Sequence, residues 1–292
     1  MFLCHSIGLG TGILRGRRWP DRCRVHHHGE VPPRNPTRLE RPIGFAHRGA
    51  RAHAPENTLE SFELALRLGA TALESDVWLT ADGVAVLDHD GLVGGRLRRR
   101  PIREVERADL PPHIPTLEDL YAALGTGFDL SLDLKDPAAG PAVIDASLGV
   151  DPTMASRLWL CDHDHERLAP LRALSPHVRL VDSTRLSKIK EGPERRAARL
   201  QELGIDAINL HHSDWTGGLS TLFHRFGVCT FGWDAQFDRI LDGLLRMGLD
   251  AVFCDHVPRM VEALARNAAA RGLDEGADGG AEGSPGDGGP LS

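Results

Sequence analysis

Two histidines, an arginine, a lysine and three carboxylates stand out in the first half of the chain. His47 and Arg48 open a His-Arg-Gly tripeptide, Glu74 and Asp76 flank a serine, His89 precedes Asp90, and Asp133 and Lys135 flank a leucine. Imidazoles titrate near working pH, so His47 and His89 suit a general acid and a general base on opposite sides of an in-line displacement. Glu74, Asp76 and Asp133 offer hard oxygen donors, which suit Mg2+ or Ca2+ better than zinc. Arg48 and Lys135 suit the anion: a guanidinium and an ammonium that hold a phosphoryl group and offset its developing charge. Each residue alone also has a structural reading, such as a strand-end histidine or a surface ion pair. Jointly they are the groups that hydrolysis of a phosphate ester needs, with a divalent metal gripping a non-bridging oxygen.

The elements that must position these groups alternate. Short runs rich in Val, Ile, Leu and Phe predict strands at 43–47, 72–79, 129–134, 157–161, 178–182, 207–211, 228–233 and 251–254. Stretches of helical period follow at 58–68, 116–124, 141–148, 165–174, 194–203, 218–226, 236–247 and 258–270. The pattern of strand-then-helix units predicts an α/β single domain, a TIM (β/α)8 barrel, whose active site gathers at the C-terminal strand ends. Thr116-Leu-Glu-Asp119 reads as a capping box, and Asp82-Gly83 as a tight turn that carries His89 back toward Glu74 and Asp76. Residues two apart in a strand share a face, so Glu74 with Asp76, and Asp133 with Lys135, point toward the barrel axis. Burying them there is costly unless a cation and an anion share the site. Trp233 is expected at the rim of that site as a substrate contact, and Phe231 in the core. The run Arg96 to Arg100 is read as a solvated face.

Composition narrows the class. The chain has 292 residues, 41% hydrophobic and 26% charged, as in an ordinary globular protein. A formal charge of −7 argues against a nucleic-acid partner. No apolar run reaches the length of a membrane span. The five cysteines include no CxxC pair, so a reducing, cytoplasmic setting is expected. Residues 1–41, with the His26 to His28 triplet and several prolines, are expected to be an irregular leader and a poor secretion signal. Residues 42–271 would be the catalytic barrel, and 272–292 a disordered tail rich in Gly and Asp. Oligomeric state is not legible.

These motifs resemble the glycerophosphodiester phosphodiesterase family. The shared pattern is His47-Arg48-Gly49, Pro55 to Thr58, Ser61-Phe62, Gly69-Ala70, Glu74 to Val77, Thr80 to Gly83, His89-Asp90 and Pro115 to Asp119. A thinner likeness continues through Trp233 to Gln236 and Gly248 to Asp255, so the resemblance spans about 43–262. It implies a TIM barrel and metal-dependent hydrolysis of glycerophosphodiesters to sn-glycerol 3-phosphate and an alcohol, in phospholipid-headgroup catabolism. It implies His47 and His89 as the acid–base pair, Glu74 and Asp76 as metal ligands, and Arg48 and Lys135 as phosphate contacts. In the family the third carboxylate is usually a Glu; here it is Asp133, one methylene shorter, as in the related sphingomyelinase D enzymes. Phospholipase D-like action on lyso- or sphingophospholipids is therefore an alternative, and a catalytically silent binding module another.

Overall fold

The structure, a computed structural model, describes residues 34–95 and 98–273. Most of the expected leader and nearly all of the expected tail lie outside the described residues.

Eight parallel strands close on themselves: β1 (Ile43–Ala46), β2 (Ala72–Leu79), β6 (Asp129–Leu134), β7 (Leu158–Asp162), β8 (Arg179–Thr184), β9 (Ala207–His211), β10 (Cys229–Trp233) and β11 (Ala251–Cys254). β1 pairs with both β11 and β2, which shuts the ring. The remaining short strands decorate it. β3 (Ala85–Leu87) runs antiparallel to β2, and β4 (Leu92–Val93) with β5 (Arg100–Pro101) makes a small ribbon. The helices are α1 (Leu59–Arg67), α2 (Leu117–Leu124), α3 (Ala139–Val150), α4 (His165–Leu168), α5 (Leu171–Leu174), α6 (Pro193–Leu203), α7 (Gly217–Arg225), α8 (Asp238–Arg246) and α9 (Val257–Ala269). The expected TIM barrel is the observed fold. Every expected strand is present, its bounds within two residues of the sequence reading.

Local sequence explains the details. Thr116 accepts from the Asp119 N–H while the Asp119 side chain takes the Thr116 N–H, the reciprocal cap that starts α2. Thr58 caps α1 through the Ser61 N–H. The helix expected over 165–174 is instead two short ones, because Pro170 has no N–H to give and crowds the preceding turn. The 91–101 crossing holds the β4–β5 ribbon, which sequence reading did not anticipate; Arg98 to Arg100 are exposed, as a solvated face should be.

The barrel interior is layered by the two-residue period of its strands. Phe45, Trp159, Val181, Phe231 and Phe253 fill one level, with Phe45 stacked on Phe253 at 4.8 Å and Trp159 edge-on to Phe231 at 5.1 Å. One step of two residues toward the C-terminal ends, the same faces carry His47, Cys161, Ser183, Trp233 and Asp255. The apolar layer is thus a floor, and the polar layer above it a mouth.

Below the floor, Asp250 anchors the chain's entry to the barrel. Its buried carboxylate accepts from the backbone N–H groups of Leu39 (2.9 Å), Arg38 and Thr230 (2.8 Å), and pairs with His224 at 2.8 Å. Residues 34–41 have no helix or strand, yet these bonds and Asn35 Nδ2 to the Gly217 carbonyl (2.8 Å) fix them to the barrel. Removing one of these partners would leave the buried carboxylate uncompensated, at a cost of several kcal/mol, on the order of 3–5.

Candidate active site

A cavity of about 740 Å³ opens at the C-terminal strand ends. Its wall on the β1, β2 and β6 side is made by His47, Arg48, Glu74, Asp76, Asp133 and Lys135; Trp233 closes part of the opposite wall. The structure therefore brings together seven of the eight residues singled out by sequence. His89 does not line the cavity. It stands at the rim, where the return of β3 ends and the Asp88 N–H bonds the Asp76 carbonyl at 3.1 Å. Its ring pairs with Asp90 at 2.9 Å and is partly exposed.

The tripeptide after β1 is a tight turn. Arg48 (φ 52°) and Gly49 (φ 80°) both lie in the left-handed region. A Cβ on Gly49 would fall 2.8 Å from the Ser61 backbone, so only glycine fits. The turn aims the Arg48 N–H at Glu74 Oε2 (2.9 Å), and the Arg48 carbonyl accepts from Asn57 N–H and Ser61 Oγ, both at 3.1 Å. Holding a non-glycine residue there stores about 1–3 kcal/mol of strain, of the kind found at functional sites.

His47 Nδ1 lies 2.6 Å from Asp255 Oδ1, and its Nε2 lies 3.8 Å from Glu74 Oε2. Burial lowers the proton affinity of the ring, but Glu74 and the Asp255 hydrogen bond outweigh it and hold the pKa above its ordinary value. Asp76 is the hub: Lys135 Nζ (3.1 Å), Arg48 Nε (3.1 Å) and Asn57 Nδ2 (3.2 Å) surround its carboxylate. Lys135 also contacts Asp133 Oδ2, so the ammonium stands between Asp76 and Asp133. Glu56 steadies the Arg48 guanidinium at 3.1 Å, and Arg51 joins Glu56 (2.6 Å) to Asp255 (3.4 Å).

Several of these partners were not singled out by sequence. Asp255 closes the family-like segment Gly248 to Asp255 and immediately follows a fully buried strand, the position from which His47 and Lys135 also project; neither feature pointed to its partner. Asn57 stands one residue before the α1 cap Thr58, and its amide ties Ser75 Oγ (2.8 Å) to Asp76. The cavity's far wall, with Ser183, Arg185, Lys188, Arg196 and Asn209, carried no motif at all. There Asn209 is 5% exposed and its Oδ1 has no protein partner. Trp233 meets the Arg185 guanidinium, 5.7 Å from the ring centroid. Phe231 is core as expected, and Trp215 too, its indole N–H bonding the Phe231 carbonyl at 2.9 Å.

The family model described as "Glycerophosphoryl diester phosphodiesterase family" matches residues 47–259. The chain belongs to that family. The resemblance read from its motifs is borne out, as is the expectation of a phosphodiester-hydrolysing enzyme. YhdW of Bacillus subtilis is 33% identical over 240 residues, covering 73% of this chain and 93% of that one. A glycerophosphodiester phosphodiesterase of Caldanaerobacter subterraneus is 24% identical over 234 residues, 72% of this chain and 93% of the relative. Among solved structures, a phosphodiesterase of Oleispira antarctica in complex with the product sn-glycerol-3-phosphate superposes with a TM-score of 0.66 at 25% identity, over 77% of this chain and 97% of that one. No helix among the described residues is long and apolar enough to cross a membrane.

One buried charge beside the cavity gives a pH prediction. Asp182 is fully buried against Arg196 (3.2 Å), with one carboxyl oxygen lacking a partner. Burial pushes its pKa up to about 7, against the pull of Arg196. The folded state then binds more protons than the unfolded chain from the ordinary carboxylate range up to about 7, so this group's contribution to stability falls as pH rises through that window. Asp182→Asn is expected to flatten the decline, seen as a smaller drop in the thermal midpoint between pH 5 and pH 8; an unchanged drop would show that Asp182 ionises normally.

Proposed function

We propose that the protein hydrolyses glycerophosphodiesters to sn-glycerol 3-phosphate and an alcohol, as a divalent-metal-dependent cytoplasmic enzyme of phospholipid-headgroup breakdown. The observation that carries this reading is the mouth cavity, where an oriented imidazole, a guanidinium, an ammonium and three carboxylates meet on one wall. The product named for the Oleispira antarctica relative supports the substrate class. Buried free thiols at Cys161, Cys229 and Cys254 suit a reducing compartment.

The donor chemistry fits a hard cation. Burial, with Asp76 and Asp133 close by, pushes the Glu74 carboxyl up to about 7, against the pull of His47 and the Arg48 N–H. Among the described residues Glu74 has only the His47 ring, at 3.8 Å, as a cationic side-chain partner, and Mg2+ or Ca2+ matches its oxygens and those of Asp76 beside it. Glu74 and Asp76 are assigned as ligands. Asp133 is assigned as the third donor; in this structure its shorter side chain reaches Lys135, and the three carboxylates do not all lie within 4.8 Å of one another. Bound there, the metal would act as a Lewis acid on a phosphoryl oxygen.

The chain's own groups do the rest. Arg48 and Lys135 bind phosphoryl oxygens and stabilise charge that builds on them. Asp255 accepts from His47 Nδ1–H, which fixes the tautomer and leaves Nε2 to accept a proton from the attacking hydroxyl. That hydroxyl is a water or the substrate's own glycerol 2-hydroxyl. His89, at the rim and oriented by Asp90, is assigned the second proton transfer, to the departing alcohol. Asn209 Oδ1 offers an acceptor for a substrate hydroxyl, and Trp233 a wall for its carbon skeleton. The polar, charged lining favours a small water-soluble diester over the lysolipid or sphingolipid of the alternative reading. A silent binding module would not need the oriented His47–Asp255 pair.

The test is an assay of purified protein on glycerophosphocholine, glycerophosphoinositol, lysophosphatidylcholine and sphingomyelin, before and after EDTA. Release of glycerol 3-phosphate from the first two is expected, lost with EDTA and restored by Mg2+ or Ca2+. Turnover of the lipids alone, or turnover indifferent to metal removal, would overturn the proposal.

A further inference from the structure

We infer that His211, His212 and Asp234 form a second cation site, of the type that takes Zn2+ or a similar transition metal, on the opposite side of the mouth from Glu74 and Asp76. Among the described residues this is the only group of three such donors whose ligand atoms all lie within 4.8 Å of one another. His211 ends β9 and is paired in register with Trp233, the last residue of β10, so Asp234 follows directly beside it. Asp234 adopts φ 60°, a left-handed conformation uncommon for a residue other than glycine. That backbone turn brings its Oδ2 to 3.2 Å from His211 Nε2.

The outer contacts hold both rings and the carboxylate in place. His211 Nδ1 accepts from the Ser213 backbone N–H at 3.2 Å and lies 2.8 Å from Ser213 Oγ; a metal on Nε2 would take the place of the proton now facing Asp234, and the ring would then carry its proton on Nδ1 toward Ser213 Oγ. Gln236 Nε2 donates to the other Asp234 oxygen at 3.3 Å. The Trp233 ring lies 4.6 Å from the His211 ring and almost perpendicular to it, which limits its rotation. The His212 ring sits 4.2 Å from that of His211.

Two imidazoles and one carboxylate are the ligand set of zinc and its neighbours, whereas Glu74, Asp76 and Asp133 offer only oxygen. In the closed ring β9 lies four strands from β2 and three from β6, and β10 four from β6 and three from β2, so the two donor sets stand on opposite sides of the mouth. Asp234 also lines the cavity. A cation held by these three side chains would therefore keep open positions toward the cavity, for water or an oxygen of a bound ligand.

The experiment is zinc titration of the metal-free full chain, followed by calorimetry and by metal analysis after gel filtration, in 10 mM Mg2+, about the level needed to occupy weak oxygen sites. His26, His27 and His28 are replaced by alanine in every sample, to remove the leader triplet as a competitor. One zinc equivalent is expected, retained in Glu74→Gln. His212→Ala and Asp234→Ala should each weaken it by more than about 100-fold, and Ser213→Ala by about 10-fold, the range seen for outer partners. Thermal unfolding without zinc checks that each variant is folded. No zinc equivalent, or one whose affinity is the same in both ligand variants, would overturn the site.

Discussion

Replacing His47 with alanine is expected to lower kcat by about 10²- to 10⁴-fold while leaving the barrel folded. The ring projects from the polar mouth layer, belongs to no core cluster, and is a quarter exposed, at 25%. Its loss removes a proton acceptor and little packing. Asp255→Asn is a sharper version of the same test. The amide keeps the shape but can offer an N–H to Nδ1, which favours the other tautomer and turns the proton of Nε2 toward the substrate. A fall in kcat of similar order is expected there, with little change in KM. His89→Ala should cost less, about 10-fold or more, because that ring works from the rim. Steady-state kinetics alongside thermal unfolding midpoints checks all three; wild-type turnover in His47→Ala would remove the ring from the mechanism.

Glu74→Gln should abolish activity and, in the metal-free protein, raise stability. In the folded state the carboxyl is buried and pushed up to about 7; in the unfolded chain it titrates in the ordinary range. Protonation favours the folded state, so Glu74's contribution is most favourable below the unfolded pKa. It is lost as pH rises to about 7, leaving a penalty at pH 8 on the order of 1–3 kcal/mol. Glutamine removes that penalty and still accepts the Arg48 N–H. It also removes a charged donor, so Mg2+ or Ca2+ affinity and kcat/KM should fall by about 100-fold or more. Opposite signs for stability and activity mark a residue kept for chemistry. Urea denaturation at pH 8 without metal, paired with metal titration, checks both halves. A variant that is less stable and still active would contradict the assignment.

Much of this site is legible in sequence because strands have a period of two. Once 72–79 and 129–134 are strands, the parity of Glu74, Asp76, Asp133 and Lys135 follows, and four ionisable groups cannot face a barrel axis without a task. The helices were readable where their caps are side chains, at Thr58 and Thr116. The 165–174 segment was misjudged because its apolar period continues through Pro170, and periodicity does not register a missing N–H. Contacts between distant segments were hidden for a different reason. Asp255 lies 208 residues from His47 and meets it only because the ring closes between β11 and β1. Asn209 is a common residue type with no spacing rule, and Asn57, though inside the Pro55 to Thr58 motif, gave no sign of its partners; the part of each emerges only from burial and contacts. The near approach of Lys135 to Asp133 was likewise invisible, since it depends on the reach of the shorter carboxylate.

The central claim is geometric: the phosphate of a glycerophosphodiester sits between His47, Arg48 and Lys135, against a cation on Glu74 and Asp76. A crystal structure of the protein with Ca2+ and sn-glycerol 3-phosphate tests it most directly. The account predicts metal density within ordinary oxygen-ligand distance of Glu74 and Asp76, with a phosphoryl oxygen completing its shell and His47 Nε2 facing the ester position. Phosphate bound elsewhere, with those two carboxylates free of metal, would contradict it.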